Sequence, residues 1–415
     1  MQENQEIYII GAGVSGLIAA YELEQEGYHP VIIEESDKVG GRVKTLKEKG
    51  FDLDLGFQVL LSAYPLANKY LDLDKLDLLM LESGACIYAN GKSYVIGDPL
   101  RNWKVLIPTL TADIGSISDK LKILKLNARL KRKSLEEIFD SPEKTTLEYL
   151  CEFGFSQKII DRFFKPFFSG IFLEPNLTTS SRMFEFVYKM FGEGYACIPK
   201  SGIGAISEQL KSKLKKTEFL FNSEVEEVTN NQIKFSSGEE KEHQGVIIAA
   251  NASPLIGGLK NQEIAWKGCK CLYFEVDQTN IPNKTIALIA EPDNYTNNLY
   301  SYTDLESGKI ILSLTTVADI DKSDLEILEK VTAEIQKYTG ASRVDYIHHY
   351  NINRALPDIQ NLRMTAAPSE SQILDNVFLA GDYLFNGSLN AAMESGRLAA
   401  QGLMDKKQGS ILSKT

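Results

Sequence analysis

Three glycines close to the N-terminus have the spacing of a turn that binds the pyrophosphate of a dinucleotide. Gly11, Gly13 and Gly16 form the sequence Gly-Ala-Gly-Val-Ser-Gly directly after an apolar run. The first glycine permits a tight turn, the second lets the backbone approach the phosphates, and the third lets a helix pack closely on a strand. The free N–H groups at the start of that helix would face the anion, and Val14 and Ser15 of the turn are included in the predicted site. The pattern therefore predicts a nucleotide site.

The elements that must position this turn are visible in the flanking sequence. Glu6–Ile10 is typical of a short buried strand, and Pro30–Glu34 of a second one. Leu17–Glu26 between them is typical of a helix, which Gly27 ends. Together they predict one βαβ unit with the glycine turn at its first strand-to-helix junction.

An acidic residue stands where a ribose would lie. Glu34 ends the second strand, 23 residues after Gly11, where its carboxylate can accept hydrogen bonds from a ribose diol and would repel a 2′-phosphate. Glu35 follows directly and is included in the predicted site. These residues predict dinucleotide binding and leave NAD and FAD both open.

The next residues favour FAD. Gly40-Gly41-Arg42 resembles the extension found in the large flavoprotein group that contains monoamine oxidases, protoporphyrinogen oxidases and phytoene desaturases. The resemblance implies that Gly41 and Arg42 lie beside the FAD phosphates and ribitol. The physical chemistry agrees, because glycine permits close backbone approach and a guanidinium can pair with phosphate.

A second segment far along the chain is similar to the C-terminal FAD motif of the same group. A strand is predicted at Asn376–Ala380, and it runs into Gly381 and Asp382. The resemblance implies that Asp382 bonds to the ribitol or to a phosphate-bound water. The N–H groups of Leu389 and Asn390, at the start of the following helix, would face the pyrimidine end of the flavin and stabilise negative charge there.

Two further segments carry a weaker resemblance to this group. Gly56, Phe57 and Gln58 lie in a stretch that passes in front of the flavin ring, so Gly56 would lie against the ring and the two side chains would face the reaction space. Val225 lies in a predicted β meander, where the matching residue of the group contacts adenine through its backbone.

The chain lacks some features of its apparent relatives. No cysteine lies near Asn386–Asn390, where monoamine oxidases carry the cysteine that bonds to the flavin, so we expect non-covalent FAD. No second GxGxxG follows a strand, so we expect oxygen or a quinone as the electron acceptor. The cysteines and histidines show no metal-ligand spacing, so we predict no metal site and assign no catalytic acid or base.

The predicted fold class is α/β, with a Rossmann-type (GR2-like) FAD-binding domain and an interleaved α+β substrate domain. The FAD-binding domain is predicted to be discontinuous, combining residues 1–65, 200–262 and 356–415. The substrate domain takes residues 66–199 and 263–355.

Aromatic residues are dense in the predicted substrate domain. Phe168 and Phe172 there, with Tyr383 and Phe385 in the loop after the C-terminal strand, are candidates for a pocket that holds a small apolar substrate. The alternative is that these rings are simply core.

The composition of the chain limits the classes of partner and the cellular compartment that we expect. A formal net charge of −11 argues against a nucleic-acid partner, since phosphate binding requires a basic face. Five scattered cysteines are typical of a reducing compartment, and no apolar run is long enough to span a bilayer. We therefore expect a cytoplasmic protein.

Residues 118–134 contain seven basic residues and place Ile117, Leu121, Leu124 and Ala128 on one helical face. We favour an ordinary solvated helix whose apolar stripe meets the core. The alternative is a helix that rests on anionic lipid, which would make the protein membrane-associated.

The leading functional hypothesis is a two-electron oxidation by hydride transfer to flavin N5, from a C–C bond or from a C–N bond. The resemblance is nearest to the shorter bacterial members that are similar to phytoene desaturase and protoporphyrinogen oxidase, which favours an apolar substrate over an amine. Two alternatives are a flavin-dependent isomerase and a non-catalytic FAD-containing protein that binds a lipid or pigment.

Overall fold

The computed structural model describes residues 6–97, 101–102, 105–259, 263–317 and 322–412. The predicted FAD-binding domain includes residues 1–5, 260–262 and 413–415, which lie outside this part of the chain.

The strands, in chain order, are β1 (Ile7–Ile10), β2 (Val31–Ile33), β3 (Thr45–Glu48), β4 (Phe51–Asp54), β5 (Leu60–Leu61), β6 (Leu78–Met80), β7 (Gly84–Ala89), β8 (Lys92–Gly97), β9 (Ala196–Pro199), β10 (Glu218–Leu220), β11 (Val225–Val228), β12 (Gln232–Phe235), β13 (Glu240–Glu242), β14 (Gly245–Ile248), β15 (Trp266–Val276), β16 (Ile286–Ile289), β17 (Thr296–Thr303), β18 (Ile310–Thr316), β19 (Val344–Pro357), β20 (Gln372–Leu374) and β21 (Val377–Leu379).

The α-helices are α1 (Val14–Gln25), α2 (Pro65–Tyr70), α3 (Leu106–Thr111), α4 (Ile117–Arg132), α5 (Leu135–Phe139), α6 (Thr146–Phe153), α7 (Gln157–Ile159), α8 (Lys165–Phe172), α9 (Ser181–Glu193), α10 (Ala205–Lys213), α11 (Asp324–Thr339) and α12 (Leu389–Leu412). A π-helical turn, Ile160–Phe164, joins α7 to α8, and short 3-10 helices lie at Gly257–Leu259, Pro368–Ser371 and Asp382–Leu384.

The first of two large sheets has six strands in the order β10-β2-β1-β14-β21-β20, which come from both ends of the chain. Its strands are parallel except for β20, which is antiparallel to β21. Every residue of β1 and β14 is buried, as expected for parallel strands that are covered on both faces. This sheet gives the protein an α/β fold with a Rossmann-type FAD-binding unit.

The two faces of β1 meet different layers because successive side chains alternate across a strand. Ile7 and Ile9 pack with α1 and α12 in the larger core, whereas Tyr8 and Ile10 pack with the small sheet β11-β12-β13. Helix α1 begins at Val14 rather than at the predicted Leu17, because Gly13 is the N-cap residue and the glycine turn is itself the start of the helix.

A second, seven-stranded sheet has the order β19-β15-β18-β17-β16-β7-β8 and is antiparallel except between β16 and β7. Helix α11 covers one face through an apolar cluster that includes Phe274, Leu312 and Val331. The opposite face, which carries Cys271 and Tyr273, packs against strand β4. One wall of this sheet therefore lies against the strand that leads into residues 56–58.

Helices α3 to α9 separate β8 from β9 in the chain, and an aromatic cluster fills their interior. The rings of Phe164, Phe168, Phe172, Phe184 and Phe186 are 0–1% exposed. Phe168 lies 4.8 Å from Phe184 and 5.3 Å from Phe172, measured between ring centroids. The cluster holds the helical layer together.

Our expectation for the apolar stripe of α4 was wrong. Ile117, Leu121 and Leu124 are 75%, 62% and 52% exposed, and the helix instead buries Leu126 and Leu130 on its opposite side. The helix carries two apolar faces, and the periodicity alone did not show which one meets the core. Among the described helices, none has both the length and the apolar character that crossing a bilayer requires.

Candidate flavin-binding site

The glycine turn has one tightly enclosed position and one open position. A Cβ atom at Gly16 would lie 2.0 Å from the carbonyl oxygen of Gly11, so only glycine fits where α1 crosses the end of β1. A Cβ at Gly13 would meet no atom within 4 Å. Val14 and Ser15 follow in the first turn of α1, where no side chain caps the N–H groups. This geometry leaves room for a phosphate at the positive end of the helix.

Glu34 is buried against the turn. Its carboxylate accepts hydrogen bonds from the backbone N–H of Ala12 at 2.7 Å and from the N–H and hydroxyl of Ser36 at 3.0 and 2.6 Å. A carboxylate has about four lone-pair positions, so capacity remains for a ribose hydroxyl. Glu35 next to it is exposed.

Val225 lies near the same acid. The backbone N–H of Ser223, two residues earlier, donates to the carbonyl of Glu34 at 3.0 Å. Val225 itself is buried beside Ile10 and Ile33. Its predicted contact with adenine stays a prediction.

The paired glycines lie against the first turn. The Gly40 N–H donates to the carbonyl of Ala12 at 3.0 Å, and a Cβ at Gly41 would lie 3.3 Å from the Cα of Gly13. Gln58 supports this segment from behind, because its side-chain amide donates to the carbonyl oxygens of Arg42 and Leu55 at 2.8 and 2.9 Å. Gln58 thus fixes the backbone of the arginine.

Arg42 and Asp382 join the two ends of the chain. Their side chains form a bidentate pair, with Nη1–Oδ2 at 3.0 Å and Nη2–Oδ1 at 2.5 Å, across a separation of 340 residues. Arg42 also donates to the carbonyl of Ala355 and lies 5.1 Å from the ring centroid of Trp266. Trp266 was not identified from the sequence, since nothing near it marks a nucleotide site.

The start of α12 closes the site from the C-terminal side. Gly381 N–H donates to the hydroxyl of Ser395 at 2.9 Å, and that hydroxyl lies 3.3 Å from Ser15 in α1. Leu389 is the first residue of α12, and the carbonyl of the Asn390 side chain accepts from the N–H of Leu66 at 3.0 Å. The Asn390 amide nitrogen is buried and has no hydrogen-bond partner among the described residues.

The phenol of Tyr383 is a second buried group without a partner, and burial raises its pKa above the usual range. The open cradle at Gly13, the two helix N-termini, the guanidinium of Arg42 and the spare donors of Asn390 and Tyr383 fit a flavin dinucleotide. They match its anionic phosphates and its hydrogen-bonding ring.

Residues 56–58, which we expect in front of the flavin ring, contact the seven-stranded sheet. Gly56 has φ +89°, and a Cβ there would also lie 2.9 Å from Ile352, so the left-handed backbone and the space both favour glycine. Phe57 reaches the second sheet, where its ring centroid lies 5.5 Å from that of Tyr300.

Asp54 is a site residue that sequence reasoning missed. Its carboxylate accepts from the hydroxyl of Thr45 at 2.6 Å and from the N–H of Ile203 at 2.9 Å, and burial raises its pKa to about 6. Its backbone carbonyl accepts from the phenol of Tyr273 at 2.7 Å. The position of an acid at the end of β4, two residues before Gly56, was the only local signal.

The wall of the second sheet that faces this segment carries uncharged polar groups at its centre. Cys271 is directly opposite Thr315, and Tyr273 is opposite Ser313. Asn298 lies beside Thr315 on the next strand. Four buried atoms on or beside this wall have no hydrogen-bond partner in the part of the chain that the structure describes: Ser169 Oγ, Asn298 Nδ2, Thr315 Oγ1 and Tyr350 OH.

The candidate pocket residues do not form one group. Phe168 and Phe172 belong to the aromatic cluster of the helical layer, whereas Phe385 packs with Ala391 and Leu398 at α12. Tyr383 directly follows Asp382 in the short 3-10 helix that precedes α12. Their assignment to a substrate pocket stays a prediction.

Titratable groups elsewhere show no metal site. No group of three or more His, Cys, Asp or Glu residues within the described part of the chain is arranged to hold a metal ion. Burial raises the thiol pKa of Cys197 and Cys271 to about 11, so neither is a ready nucleophile.

Fold and site together define a FAD-dependent oxidoreductase. The model of the family described as flavin containing amine oxidoreductase matches residues 14–404, and the chain belongs to this family.

Relatives in the family have different chemistries. The chain is 27% identical to protoporphyrinogen oxidase 2 of Arabidopsis thaliana over 40% of its own length, and this match spans only 32% of that plant protein. It is 22% identical to the 15-cis-phytoene desaturase of Synechococcus elongatus over 97% of this chain and 96% of that one. An oxidoreductase structure from Methanosarcina mazei has a TM-score of 0.72 at 15% identity, covering 97% of this chain and 100% of that one.

Proposed function

We propose that the protein removes two electrons, as a hydride from carbon, from a small substrate that is uncharged when it reacts. The bond oxidised is a C–C bond, as in desaturation, or a C–N bond of an unprotonated amine. Bound FAD, held non-covalently, supplies the acceptor for the electron pair at its N5 position.

The wall of the second sheet is the observation that carries this proposal. Its central side chains, beside Phe57, are phenols, hydroxyls, an amide and a thiol, and burial raises the pKa of Cys271 and Tyr300 to about 11 and 12. These groups are neutral at physiological pH. The wall groups supply no paired charge to a charged substrate, whose lost hydration would cost several kcal/mol on the order of magnitude known for buried ions. The carboxylate of Asp54, in β4, is engaged by the hydroxyl of Thr45 and the N–H of Ile203 instead.

The residues of this chain act by positioning and by excluding water. Phe57 and Tyr300 meet across the two units and would hold an apolar substrate edge-on to the cradle. The unpartnered donor of Asn298 and the hydroxyl of Thr315 would orient a polar substituent, because each gains a hydrogen bond only when a substrate supplies the acceptor.

Anaerobic mixing of the flavin-loaded protein with a panel of polyenes, porphyrinogens and amines tests the proposal. We expect one class to bleach the flavin absorbance, and oxygen or a quinone to restore it. Bleaching by amines that is fastest far below the pKa of the amine would contradict the requirement for an uncharged substrate.

Two variants sharpen the result. Phe57→Leu should raise KM or lower kcat for the substrate found, whereas Tyr346→Phe, on the outward side of β19, should leave both unchanged. Conversion of an isomer without net flavin bleaching would indicate the isomerase alternative. Tight binding of a lipid or pigment with no redox change would indicate the non-catalytic one.

A further inference from the structure

An exposed apolar surface lies on the helical layer, away from the flavin cradle. It consists of Ile117, Leu121 and Leu124 on α4 together with Ile107 and Leu110 on α3, and we call it the α3–α4 surface. Ile107 and Leu110 are 71% and 54% exposed, and the three α4 residues are exposed by more than half. Isolated surface leucines are ordinary, but five large aliphatic side chains in two adjoining elements require an explanation.

A lysine joins the end of α3 to the start of α4. The ammonium of Lys120 on α4 donates to the carbonyl oxygens of Leu110 and Ala112 at the end of α3, at 2.5 and 3.2 Å. The start of α4 is fixed as well, since Ser116 and Asp119 form a capping box. The apolar side chains are therefore presented on a rigid frame.

The exposed face is not a by-product of packing the helix. At about 100° per residue, Ile117, Leu121 and Leu124 fall within about 60° of one another. Leu126 and Leu130 lie on the opposite side, where they are 0% and 1% exposed. The core requirement of α4 is thus already met by other residues.

Basic side chains flank this stripe in a protein that is otherwise acidic. Residues 118–134 hold seven basic residues and one acidic residue, Asp119, whereas the whole chain has a net charge of −11. The acid is fully buried in its cap, so it adds little to the outward field. Lys125, Lys131 and Arg132 fall within about 80° of the stripe on either side, while the ammonium of Lys120 is engaged at the end of α3.

We propose that the α3–α4 surface docks the protein on a bilayer that contains anionic lipids. Aliphatic side chains at the centre of the surface would enter the boundary between headgroups and acyl chains, while the flanking ammonium and guanidinium groups pair with lipid phosphates. The positive charge speaks against a second copy of the chain as the occupant, because a two-fold contact would bring like charges together. This inference is independent of the proposed redox reaction.

Co-sedimentation of the flavin-loaded protein with vesicles tests the proposal. We expect binding to phosphatidylcholine vesicles that contain about a third phosphatidylglycerol, with binding weakened by salt, and much weaker binding to phosphatidylcholine alone. The double variant Leu121→Asp, Leu124→Asp should weaken binding by at least about tenfold. Failure of the unaltered protein to bind the anionic vesicles overturns the proposal.

Leu305→Asp is the matched control, since Leu305 is 78% exposed in a turn between β17 and β18. It should bind vesicles as the unaltered protein does, and loss of binding to the same extent would overturn the assignment to α3–α4. Flavin absorbance and the melting temperature should be unchanged in all these variants. If sedimentation shows a dimer that the double variant converts to a monomer, the surface is a protein–protein interface and the proposal fails.

Discussion

Substitution of two neighbouring glycines by alanine should separate folding from flavin binding. Gly13 has φ −71° and ψ 175°, which alanine adopts readily, and its Cβ would enter open space. At Gly16 the same methyl group would lie 2.0 Å from the carbonyl oxygen of Gly11. The methyl group of Gly13→Ala should therefore contact only a bound ligand, whereas that of Gly16→Ala would clash with the protein backbone.

The expected magnitudes follow from these contacts. Gly13→Ala should change the free energy of unfolding by no more than about 1 kcal/mol, because a poorer N-cap is offset by reduced backbone entropy of the unfolded chain. Gly16→Ala should cost about 3 kcal/mol or more, because helix and strand must separate. A methyl group between Gly13 and a bound pyrophosphate should cost about 1–3 kcal/mol of affinity, which weakens FAD binding about 5- to 150-fold.

Urea unfolding of the flavin-free proteins and fluorescence titration with FAD provide the two measurements. Gly13→Ala should unfold near the midpoint of the unaltered protein and bind FAD more weakly. If Gly13→Ala binds FAD with unaltered affinity, the pyrophosphate does not lie at this turn. If both variants lose the same stability, the difference in space between the two positions is not real.

Three further outcomes are expected. Arg42→Ala should lower the free energy of unfolding by about 1–3 kcal/mol, since it leaves the buried carboxylate of Asp382 unpaired. Adding Asp382→Asn removes that charge and should recover part of the loss in urea unfolding. Equal stability of the single and double variants would refute the pairing. Burial raises the pKa of Asp54 to about 6 from an ordinary 3.8, so the folded state binds the proton more tightly than the unfolded state does. The stability that this proton contributes is complete below pH 3.8 and is lost as the pH rises through 6. Unfolding free energy should therefore fall by up to about 3 kcal/mol more over that range in the unaltered protein than in Asp54→Asn, and parallel pH profiles would contradict it. In thiol titration at pH 8, exposed Cys151 should react first and the buried thiols of Cys197 and Cys271 much later, with the Cys151→Ser protein losing the fast phase.

Local backbone requirements made part of the site visible in the sequence. The glycine turn and Glu34 depend on sterics and charge within one βαβ unit, so their spacing alone predicted a nucleotide site. Asp382 was predicted differently, from the resemblance of the segment after a buried strand to a known FAD motif. Short-range chemistry of this kind leaves a pattern that does not depend on the rest of the fold.

Contacts between distant elements left no such pattern. The meeting of Phe57 with Tyr300, and of Asp54 with Ile203, depends on the registers of separate strands and on how the two units pack. Our prediction of which face of α4 is buried failed for a related reason. A helix with two apolar faces has the same periodicity whichever face packs against the core. Which face is buried is decided by the neighbouring helix α9, where Lys189 donates to the carbonyl of Leu130.

The pairing of Arg42 with Asp382 across 340 residues also constrains how the protein matures. Strand β1 takes its place between β2 and β14, so during synthesis its second neighbour emerges more than 200 residues after it. The guanidinium of Arg42 has no carboxylate to pair with until Asp382 has been synthesised, 340 residues later. Stable binding of FAD should then require α12, and nascent chains that stop before α12 should be colourless.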